Sequence, residues 1–381
     1  MIHYDSRKIK PKDVFLAIDK GNTYIKPELL NLCSKTIRLK KEEVYSYLSN
    51  LWDLDMSFIK IIGITGTNGK TTVSYLVQQI LNEYNIKSRL VGTINSNLTT
   101  PEMFDTLDLI RDMNTNRETH LIMEISSIGI EEKRIHGLPF SVKCLTNISQ
   151  DHLDYHKSFK AYVQSKFKFL NLPGATIFPK YYKQIKINFP TLVQGKFNRF
   201  NMQSAYAIAL ELNIPKETIE RALTKANAPK GRFQFIECTA PFDIIVDYAH
   251  TPDGLINILR EAKELKTNRL IVIFGAGGDR DKGKRPLMGK AADEYADMII
   301  VTSDNPRSED PKKIIQDILL GIKHTKYMTI VDREQAIASA LKLAKRGDIV
   351  VIAGKGHENY QIIGDNTIHF DDVEIARKYV S

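Results

Sequence analysis

The stretch FIKIIGITGTNGKTT, from Phe58 to Thr72, constrains the fold of this chain more than any other part of its sequence. Its first half, Phe58–Gly66, is a nearly continuous apolar run with β-branched residues, which predicts a central strand of a parallel sheet. After the glycine-rich turn, apolar residues recur with the 3.6-residue period of a helix, at Val73, Leu76, Val77, Ile80 and Leu81. Strand, turn and helix in this order predict an α/β nucleotide-binding domain.

The glycine-rich turn has the composition of a phosphate-binding loop. Gly66 and Gly69 would let backbone N–H groups close on phosphate oxygens, and the helix N-terminus adds partial positive charge. Lys70 would reach the β- and γ-phosphates, and the Thr71 hydroxyl would serve a Mg²⁺ ion. Ile64 stands where the general G-x-x-x-x-G-K-S/T pattern has its first glycine, so the spacing here is tighter. An ordinary glycine-rich turn is the alternative, which the flanking strand, helix and Lys-Thr pair disfavour.

Composition narrows the class of protein and of partner. A chain of 381 residues, 43% hydrophobic and 26% charged, is long enough for two or three globular domains and is neither disordered nor fibrous. The net charge of +9 suits an anionic partner, and since Lys and Arg form no long block, a nucleotide or phosphorylated substrate is favoured over nucleic acid. The three cysteines fit buried thiols in a reducing compartment. No run approaches the roughly 18 apolar residues of a membrane span and no signal-peptide core is present, so we expect a cytoplasmic protein.

A second series of strands and helices begins near Arg232. Amphipathic segments of helical length separate most of its apolar runs, which predicts a doubly wound parallel sheet. These runs are Phe242–Ala249, Leu270–Ala276, Met298–Asp304 and Asp348–Gly354. Ligands of such sheets bind at the carboxyl ends of the strands.

The segment SDNPRSEDP, Ser303–Pro311, follows one of these strand ends. A turn uses Asn, Pro and Asp for their local backbone chemistry, but it does not need an arginine. Arg307 is therefore a candidate for binding a ligand, and a solvated loop charge is the alternative interpretation.

Two strands of the first domain are followed by side chains that could bind a metal. Glu124 ends the run His120–Ser126, and His152 follows the run Ser141–Ser149. A carboxylate and an imidazole from neighbouring strands could complete a Mg²⁺ shell, although hard cations prefer oxygen ligands. Considered alone, His152 is better explained as a hydrogen-bonded loop histidine, and Lys166 as a lysine on a helix surface.

A set of motifs then occurs in one order along the chain: TGTNGKTT, MEISS, TNISQDHLDYH, FNRFN, GRF, DYAHTPDGL, GAGGDRDKGKRPLMG, SDNPRSEDP and AGKGHENYQ. Together they closely resemble the Mur ligases, from about Phe58 to the C-terminus. The resemblance implies an α/β protein of three domains. These are an N-terminal UDP-substrate domain at 1–57, a central ATP-binding domain with a P-loop at 58–231, and a C-terminal Rossmann-like domain at 232–381. Only 57 residues precede the strand that leads into the phosphate-binding loop, tens fewer than usual, so the resemblance implies a shortened N-terminal domain.

The resemblance also implies an ATP- and Mg²⁺-dependent amide ligation in peptidoglycan synthesis. The γ-phosphoryl group passes to the carboxylate of a UDP-linked muramoyl dipeptide, and the amine of a diamino acid attacks the resulting acyl phosphate. We expect these small molecules as partners, no nucleic acid, and a monomer.

Site residues are implied by matching the family's motifs position by position. The ATP-binding group is Gly66, Thr67, Asn68, Gly69, Lys70, Thr71, Thr72, Asn198, Asn201, Arg232, Asp247 and His250. The metal group is Thr71, Glu124, His152 and Lys166, the last as a CO₂-derived carbamate, and Lys70 joins the last three as catalytic residues. The UDP-dipeptide group is Thr99, Thr100, Ser126 and Arg134. The amino-acid group is Arg280, Asp304, Asn305, Arg307, Gly354 and Glu358.

The DNPR pattern is associated in this family with meso-diaminopimelate, whose distal carboxylate a planar guanidinium can bind through two hydrogen bonds. L-Lysine is the alternative substrate, and another acceptor is an alternative because of the short N-terminus. A nucleotide-binding regulatory protein without ligase activity is a third interpretation.

Two residues depart from the family pattern. Ile128 stands in place of a histidine and Gln234 in place of a glutamate, and neither departure removes an implied phosphate or metal ligand. The DYAHTPD segment could also be a loop with an Asx-type turn.

Overall fold

The chain divides into two units in the structure, a computed structural model that describes residues 2–5, 8, 10–18, 33–96, 98–149, 151–193 and 195–380. The first unit comprises 1–148, 155–190 and 200–225, and the second comprises 149–154, 191–199 and 226–381. The predicted domain boundaries at 57/58 and 231/232 remain predictions, and residues 19–32 of the predicted N-terminal domain lie outside the described residues.

A small parallel sheet opens the first unit. Its order is β1-β2-β3, formed by β1 (Ile2–His3), β2 (Val14–Ile18) and β3 (Lys35–Leu39). A 3-10 helix at Lys41–Glu43 and helix α1 (Val44–Leu51) follow. Strand β2 contributes Phe15 and Leu16, both fully buried.

The main sheet of the first unit is parallel throughout, in the order β5-β6-β4-β7-β8. Its strands are β4 (Lys60–Thr65), β5 (Ser88–Val91), β6 (His120–Ile125), β7 (Phe140–Leu145) and β8 (Ala175–Ile177). Strand β4 lies at the centre, as its apolar sequence predicts, and Ile61, Ile62 and Ile64 are fully buried. The carboxyl ends of β4, β6 and β7 therefore share one edge.

Helices alternate with these strands or follow them along the chain. They are α2 (Lys70–Glu83), α3 (Met103–Asn116), α4 (Ser127–Glu131), α5 (Leu153–His156), α6 (Phe159–Leu170), α7 (Pro179–Tyr182), α8 (Lys196–Glu211) and α9 (Lys216–Lys225). The predicted apolar face of α2 is confirmed, because its five members from Val73 to Leu81 are all fully buried. Helix α2 packs against β5 and β6, which fixes the direction of its N-terminus.

The second unit contains the predicted doubly wound sheet, in the order β13-β12-β11-β14-β10-β9, with only the β9–β10 pair antiparallel. Its strands are β9 (Gln234–Phe235), β10 (Asp243–Asp247), β11 (Leu270–Phe274), β12 (Met298–Val301), β13 (Tyr327–Thr329) and β14 (Ile349–Ala353). A hairpin of β15 (Tyr360–Ile363) and β16 (Asn366–His369) follows.

Both faces of this sheet are buried, which explains why its strands are apolar without alternation. Ile245 belongs to a core with α10 (Pro252–Leu265), α11 (Lys284–Tyr295) and α12 (Pro311–Leu319). Its neighbour Val246 belongs to the opposite core, with α13 (Arg333–Leu343) and α14 (Asp372–Val380). None of the helices in the described part of the chain has the length and apolar character needed to cross a membrane.

Candidate functional site

The phosphate-binding loop predicted from the sequence connects the central strand β4 to helix α2. Gly69 is the N-cap of α2 at φ 84, a left-handed conformation that favours glycine, and a Cβ there would collide with the Asn201 carboxamide. The Lys70 ammonium group donates to the carbonyls of Gly66 and Thr67, both at 2.9 Å. The predicted strand–turn–helix geometry is confirmed, and the lysine folds back over its own loop.

The loop is braced by the residues that follow β7. The backbone N–H of Asn68 donates to Asn147 Oδ1 at 2.9 Å, and the N–H of Thr67 donates to the Asn147 carbonyl at 2.9 Å. Of the two predicted adenine-side asparagines on α8, Asn201 lies against Gly69, and Asn198 is buried. These contacts stabilise the conformation of the turn. None of them is made by the backbone N–H groups of the first turn of α2.

Glu124 is the penultimate residue of β6, and its carboxylate has no exposed surface. Thr71 Oγ1 donates to its Oε2 at 2.8 Å. Thr93 donates twice, through its N–H to Oε1 and through its hydroxyl to Oε2, both at 3.1 Å. These three donors are neutral, so they leave the carboxylate charge uncancelled. A buried anion that shares a threonine hydroxyl with the phosphate-binding loop is suited to a hard cation.

Lys166 lies on α6 with only 1% of its surface exposed. Its ammonium group donates to the Gly66 carbonyl at 3.0 Å and sits 4.7 Å from the Tyr162 ring centre. The interpretation of Lys166 as a helix-surface lysine is therefore wrong. Lys70 and Lys166 converge on the same carbonyl oxygen, at the start of the phosphate-binding loop.

His152 has the properties of a loop histidine bonded within its own segment. It lies in the segment 149–154 of the second unit, at φ 53. Its backbone N–H donates to Asp151 Oδ1 at 2.9 Å, and its Nε2 lies 3.4 Å from Asp151 Oδ2. These contacts confirm the hydrogen-bonded loop interpretation, and metal binding by His152 stays a prediction.

The four residues matched to the UDP-dipeptide group lie together in the first unit. Thr100 Oγ1 donates to the Glu124 carbonyl at 2.9 Å and lies 3.1 Å from Ser126 Oγ. Arg134 donates to the Thr100 carbonyl at 3.0 Å, while Thr99 Oγ1 is 3.2 Å from Thr93 Oγ1. The hydroxyl groups of Thr99, Thr100 and Ser126 and the guanidinium group of Arg134 thus lie near the end of β6.

In the second unit, the DNPR segment follows β12 and packs beside the loop after β14. Asp304 and Asn305 are buried, and Asn305 Nδ2 donates to Glu358 Oε2 at 3.0 Å. Burial raises the pKa of the Glu358 carboxyl, and the nearby Asp304 adds to that effect. Burial opposes ionisation of Asp304 too, but the neighbouring Lys355 and Arg333 cations hold its pKa below the usual value.

Arg307 reaches across to the glycine-rich loop that follows β11. Its Nη1 donates to the Gly278 carbonyl at 2.8 Å. A Cβ at Gly277 would lie 3.0 Å from Arg307 Nη1 and 3.8 Å from Arg280 Cγ, so both predicted arginines border this loop. The structure therefore brings together the predicted amino-acid group within one unit.

The DYAH segment after β10 contains the Asx-type turn that the sequence left open. Asp247 accepts from the N–H groups of Ala249 and Phe233, both at 2.7 Å. The Arg232 guanidinium stacks 4.4 Å above the Tyr248 ring, and His250 Nδ1 is 2.9 Å from the Tyr248 carbonyl. Arg232, Asp247 and His250 thus lie near one another, and their contact with ATP stays a prediction.

Three residues that belong to these clusters were not predicted from the sequence. Thr93 follows β5, a strand too short to stand out as an apolar run. Arg333 sits in the first turn of α13, where a charged residue is normally a surface residue. Lys355 lies between two glycines within AGKGHENYQ, so the motif itself was the available signal.

The two main sheets and their loops correspond to domains of known proteins. Residues 64–178 match the Mur ligase middle domain, and residues 231–356 match the Mur ligase, glutamate ligase domain. A UDP-N-acetylmuramoyl-L-alanyl-D-glutamate--2,6-diaminopimelate ligase of Clostridium botulinum is 36% identical, over 100% of this chain and 94% of that protein. The enzyme of that name in Caldanaerobacter subterraneus is 37% identical, over 99% and 94%.

A solved structure of a ligase with the same name covers 100% of this chain and 94% of its own, at 29% identity and a TM-score of 0.62. The alignment with the Clostridium botulinum relative runs over 456 positions, so several tens of them have no residue in this chain of 381. The α/β fold with its parallel sheets agrees with the three-domain architecture of the Mur ligases, and the chain belongs to the Mur ligase family.

Proposed function

We propose that this Mur ligase adds meso-diaminopimelate to UDP-N-acetylmuramoyl-L-alanyl-D-glutamate, with conversion of ATP to ADP and phosphate, in peptidoglycan synthesis. The observation that carries the proposal is the group of Asn305, Arg307 and Glu358, which places a carboxylate and a guanidinium group on neighbouring loops of one unit. Because the reaction consumes ATP, we propose that it takes place in the cytoplasm.

The chemistry divides one difficult step into two easier ones. The glutamate carboxylate of the UDP-linked dipeptide attacks the γ-phosphorus, the bond to the β–γ bridging oxygen breaks, and ADP leaves. The amine of diaminopimelate attacks the carbonyl carbon of the acyl phosphate, and the tetrahedral intermediate expels phosphate and releases a proton. A carboxylate oxygen is a poor leaving group until it has been phosphorylated, which is why ATP is needed.

The phosphate-binding loop supplies the electrostatic part of the first step. Lys70 would exchange its two loop carbonyls for phosphate oxygens, and the N-terminal N–H groups of α2 would face the same anion. Helix and lysine thereby stabilise negative charge that shifts from the γ-phosphoryl group to the departing ADP.

Thr71 and Glu124 fit a Mg²⁺ site, because a buried carboxylate with neutral donors is already joined to the loop threonine. Mg²⁺ bound there would neutralise charge on the phosphate oxygens. Lys166 fits this group only after modification, since an ammonium cannot bind a cation. Its neutral amine would add to CO₂ with loss of a proton and become an anionic carbamate. His152 stays a ligand predicted from the resemblance.

Arg307 is the proposed selector of the amino acid. A guanidinium group binds a carboxylate through two parallel hydrogen bonds, and L-lysine lacks the distal carboxylate that would occupy it. A site built around such a polar group can discriminate by about 10⁴ against the analogue that lacks its partner. The proposal therefore favours meso-diaminopimelate over L-lysine.

The test is a paired ligation assay with purified protein, ATP, Mg²⁺, the UDP-linked dipeptide and either diamino acid, read by mass spectrometry. We expect the tripeptide product with meso-diaminopimelate and little with L-lysine. Product with L-lysine alone would reverse the specificity assignment. Phosphate release that depends on another acceptor would replace the substrate, and ATP binding without turnover on any acceptor would overturn the ligase assignment.

A further inference from the structure

Lys355 is a lysine with no exposed surface, in the loop that follows β14. Its ammonium group donates to the Tyr360 carbonyl at 2.6 Å and to Asn305 Oδ1 at 3.0 Å, and lies 3.5 Å from Glu358 Oε2. An ammonium group has three protons to donate, and three oxygens lie around it. The lysine thus links the loop after β12, which carries Asn305, to the loop after β14, which carries Glu358.

The contact between Lys355 and Asn305 fixes the orientation of a carboxamide. Asn305 Oδ1 accepts from Lys355 and from the backbone N–H of Ile362, both at 3.0 Å. With two donors facing its oxygen, the amide cannot rotate by a half-turn without placing its NH₂ group against them. Its Nδ2 is therefore directed at Glu358 Oε2, 3.0 Å away. Lys355 thereby determines that the NH₂ group of Asn305, and not its oxygen, faces Glu358.

The same two loops approach closely around Asp304. Asp304 Oδ1 accepts from the Asn305 N–H at 2.7 Å, and a Cβ at Gly354 would lie 2.6 Å from Asp304 Oδ2. Arg333 donates to the carbonyl of Ala353 at 3.0 Å and pairs with Asp372 at 2.7 Å. Two buried cations, Lys355 and Arg333, accordingly accompany the two acidic residues Asp304 and Glu358.

Stability alone does not account for a lysine in this position. Removing an ammonium group from water is costly, and apolar residues of similar volume often replace buried charges without loss of stability. A methionine would fill the same space, but it would release the Asn305 carboxamide and leave Glu358 without its nearest cation. Two of the three groups that Lys355 contacts, Asn305 and Glu358, are proposed to bind the amino acid, which indicates a functional reason for the charge.

We propose that Lys355 is a positioning residue for the incoming diamino acid, which holds the Asn305 carboxamide and the Glu358 carboxylate in their binding orientation. This inference rests on the proposed function, because it needs a diamino acid as the ligand of that pocket. Lys355 acts through its two neighbours and takes no part in phosphoryl transfer.

The experiment compares Lys355→Met with Lys143→Met in the ligation assay. Lys143 is the matched control, a buried lysine of β7 in the first unit whose ammonium group donates to the carbonyls of Leu170 and Leu172. Lys355→Met should raise the KM for meso-diaminopimelate by about tenfold or more, with the KM for ATP changed by less than about twofold. Lys143→Met should leave the ratio of these two KM values unchanged, whatever it does to thermal stability.

A double-mutant cycle identifies the route of the effect. If Lys355 acts through Asn305, combining Lys355→Met with Asn305→Ala should raise the KM for the amino acid by much less than the product of the two single effects. Lys355→Gln, which keeps a donor but loses the charge, is the second variant if the methionine variant does not fold, and it should raise the same KM selectively.

The two proposals fail in different ways. An unmodified protein that ligates no diamino acid would overturn the proposed function and the role of Lys355 with it. A ligating enzyme in which folded Lys355→Met or Lys355→Gln keeps its KM for meso-diaminopimelate would overturn the role of Lys355 alone. Equal increases in both KM values would also overturn it, because the lysine would then be a general structural residue.

Discussion

At the scale of a single residue, the backbone conformation of Arg307 is set by its neighbours. Its φ of 52 lies in the left-handed region, which non-glycine residues seldom adopt. Its N–H donates to the Ile362 carbonyl at 3.1 Å, and its carbonyl accepts from the Gly364 N–H at 2.8 Å. The backbone is thus held from both sides by the β15–β16 hairpin. Nothing in the letters DNPR indicates this conformation, because Asn or Gly would be expected there.

Arg307→Lys should lower kcat/KM for meso-diaminopimelate by about 10²-fold or more, because lysine cannot bind a carboxylate through two parallel hydrogen bonds. The KM for ATP should change little. Steady-state kinetics with each substrate varied in turn measures both values. Arg346→Lys, on an exposed turn of the same unit, is the control and should behave as the unmodified enzyme. Equal loss for ATP and amino acid would show that Arg307 is structural.

Lys166→Ala should reduce ligation by several orders of magnitude, because no carbamate can then form, and short carboxylates such as acetate should restore part of it. Lys168→Ala is the control on the same helix, since Lys168 is exposed and pairs with Glu131 at 2.8 Å. Activity assays with and without added carboxylate make the comparison. Full activity of Lys166→Ala without added carboxylate would contradict the carbamate assignment.

At the scale of elements, two loops near the proposed amino-acid site are joined by an ion pair between the buried Arg285 and the partly exposed Glu309. Arg285, in the first turn of α11, is bonded twice to Glu309, at 2.8 and 3.0 Å, and also to Asp317 of α12 at 2.9 Å. Glu309 accepts in addition from the N–H of Asp279 at 2.6 Å. The glycine-rich loop after β11 and the segment after the DNPR motif are thereby connected.

This ion pair predicts a particular dependence of stability on pH. Hydrogen bonding to Arg285 lowers the pKa of Glu309 from 4.5 to about 2. Because the folded-state pKa is the lower one, the pair contributes fully above pH 4.5 and its contribution is lost as the pH falls toward 2. Urea unfolding at about pH 6.5 and about pH 3 should show a larger loss for the unmodified protein than for Glu309→Gln, by about 1–2 kcal/mol. Equal losses would mean that the pair adds nothing to folding.

The elements that sequence patterns predict are the long apolar ones. Strands β4, β6, β10, β11 and β14 were predicted because burial on both faces leaves a continuous apolar run. Strands β5, β8 and β13 have at most one buried residue each, and β13 is exposed along its length, so no such run exists. Strand β9 has two residues and pairs antiparallel at the edge. Their existence depends on neighbouring strands rather than on their own sequence.

At the scale of the whole molecule, the residues of the proposed site are divided between the two units. Lys70, Thr71, Glu124 and Lys166, proposed for phosphoryl transfer, belong to the first unit, whereas the predicted metal ligand His152 and the amino-acid group belong to the second. Ordered motifs were enough to predict both groups. The supporting residues Thr93, Arg333 and Lys355 were not predicted, because their importance comes from burial and from contacts across loops. Local sequence contains neither.

The Arg333–Asp372 pair has a practical consequence for anyone who engineers this protein. Asp372 opens the final helix, α14, and its carboxylate is the buried counter-ion of Arg333, which donates to the carbonyl of Ala353 at the end of β14. Deleting α14 to shorten the protein would remove this counter-ion from the buried Arg333 guanidinium group, beside the proposed amino-acid site. Such a variant should lose substrate discrimination before it loses its ability to bind ATP. Fusion partners attached after this helix are therefore preferable to any trimming of it.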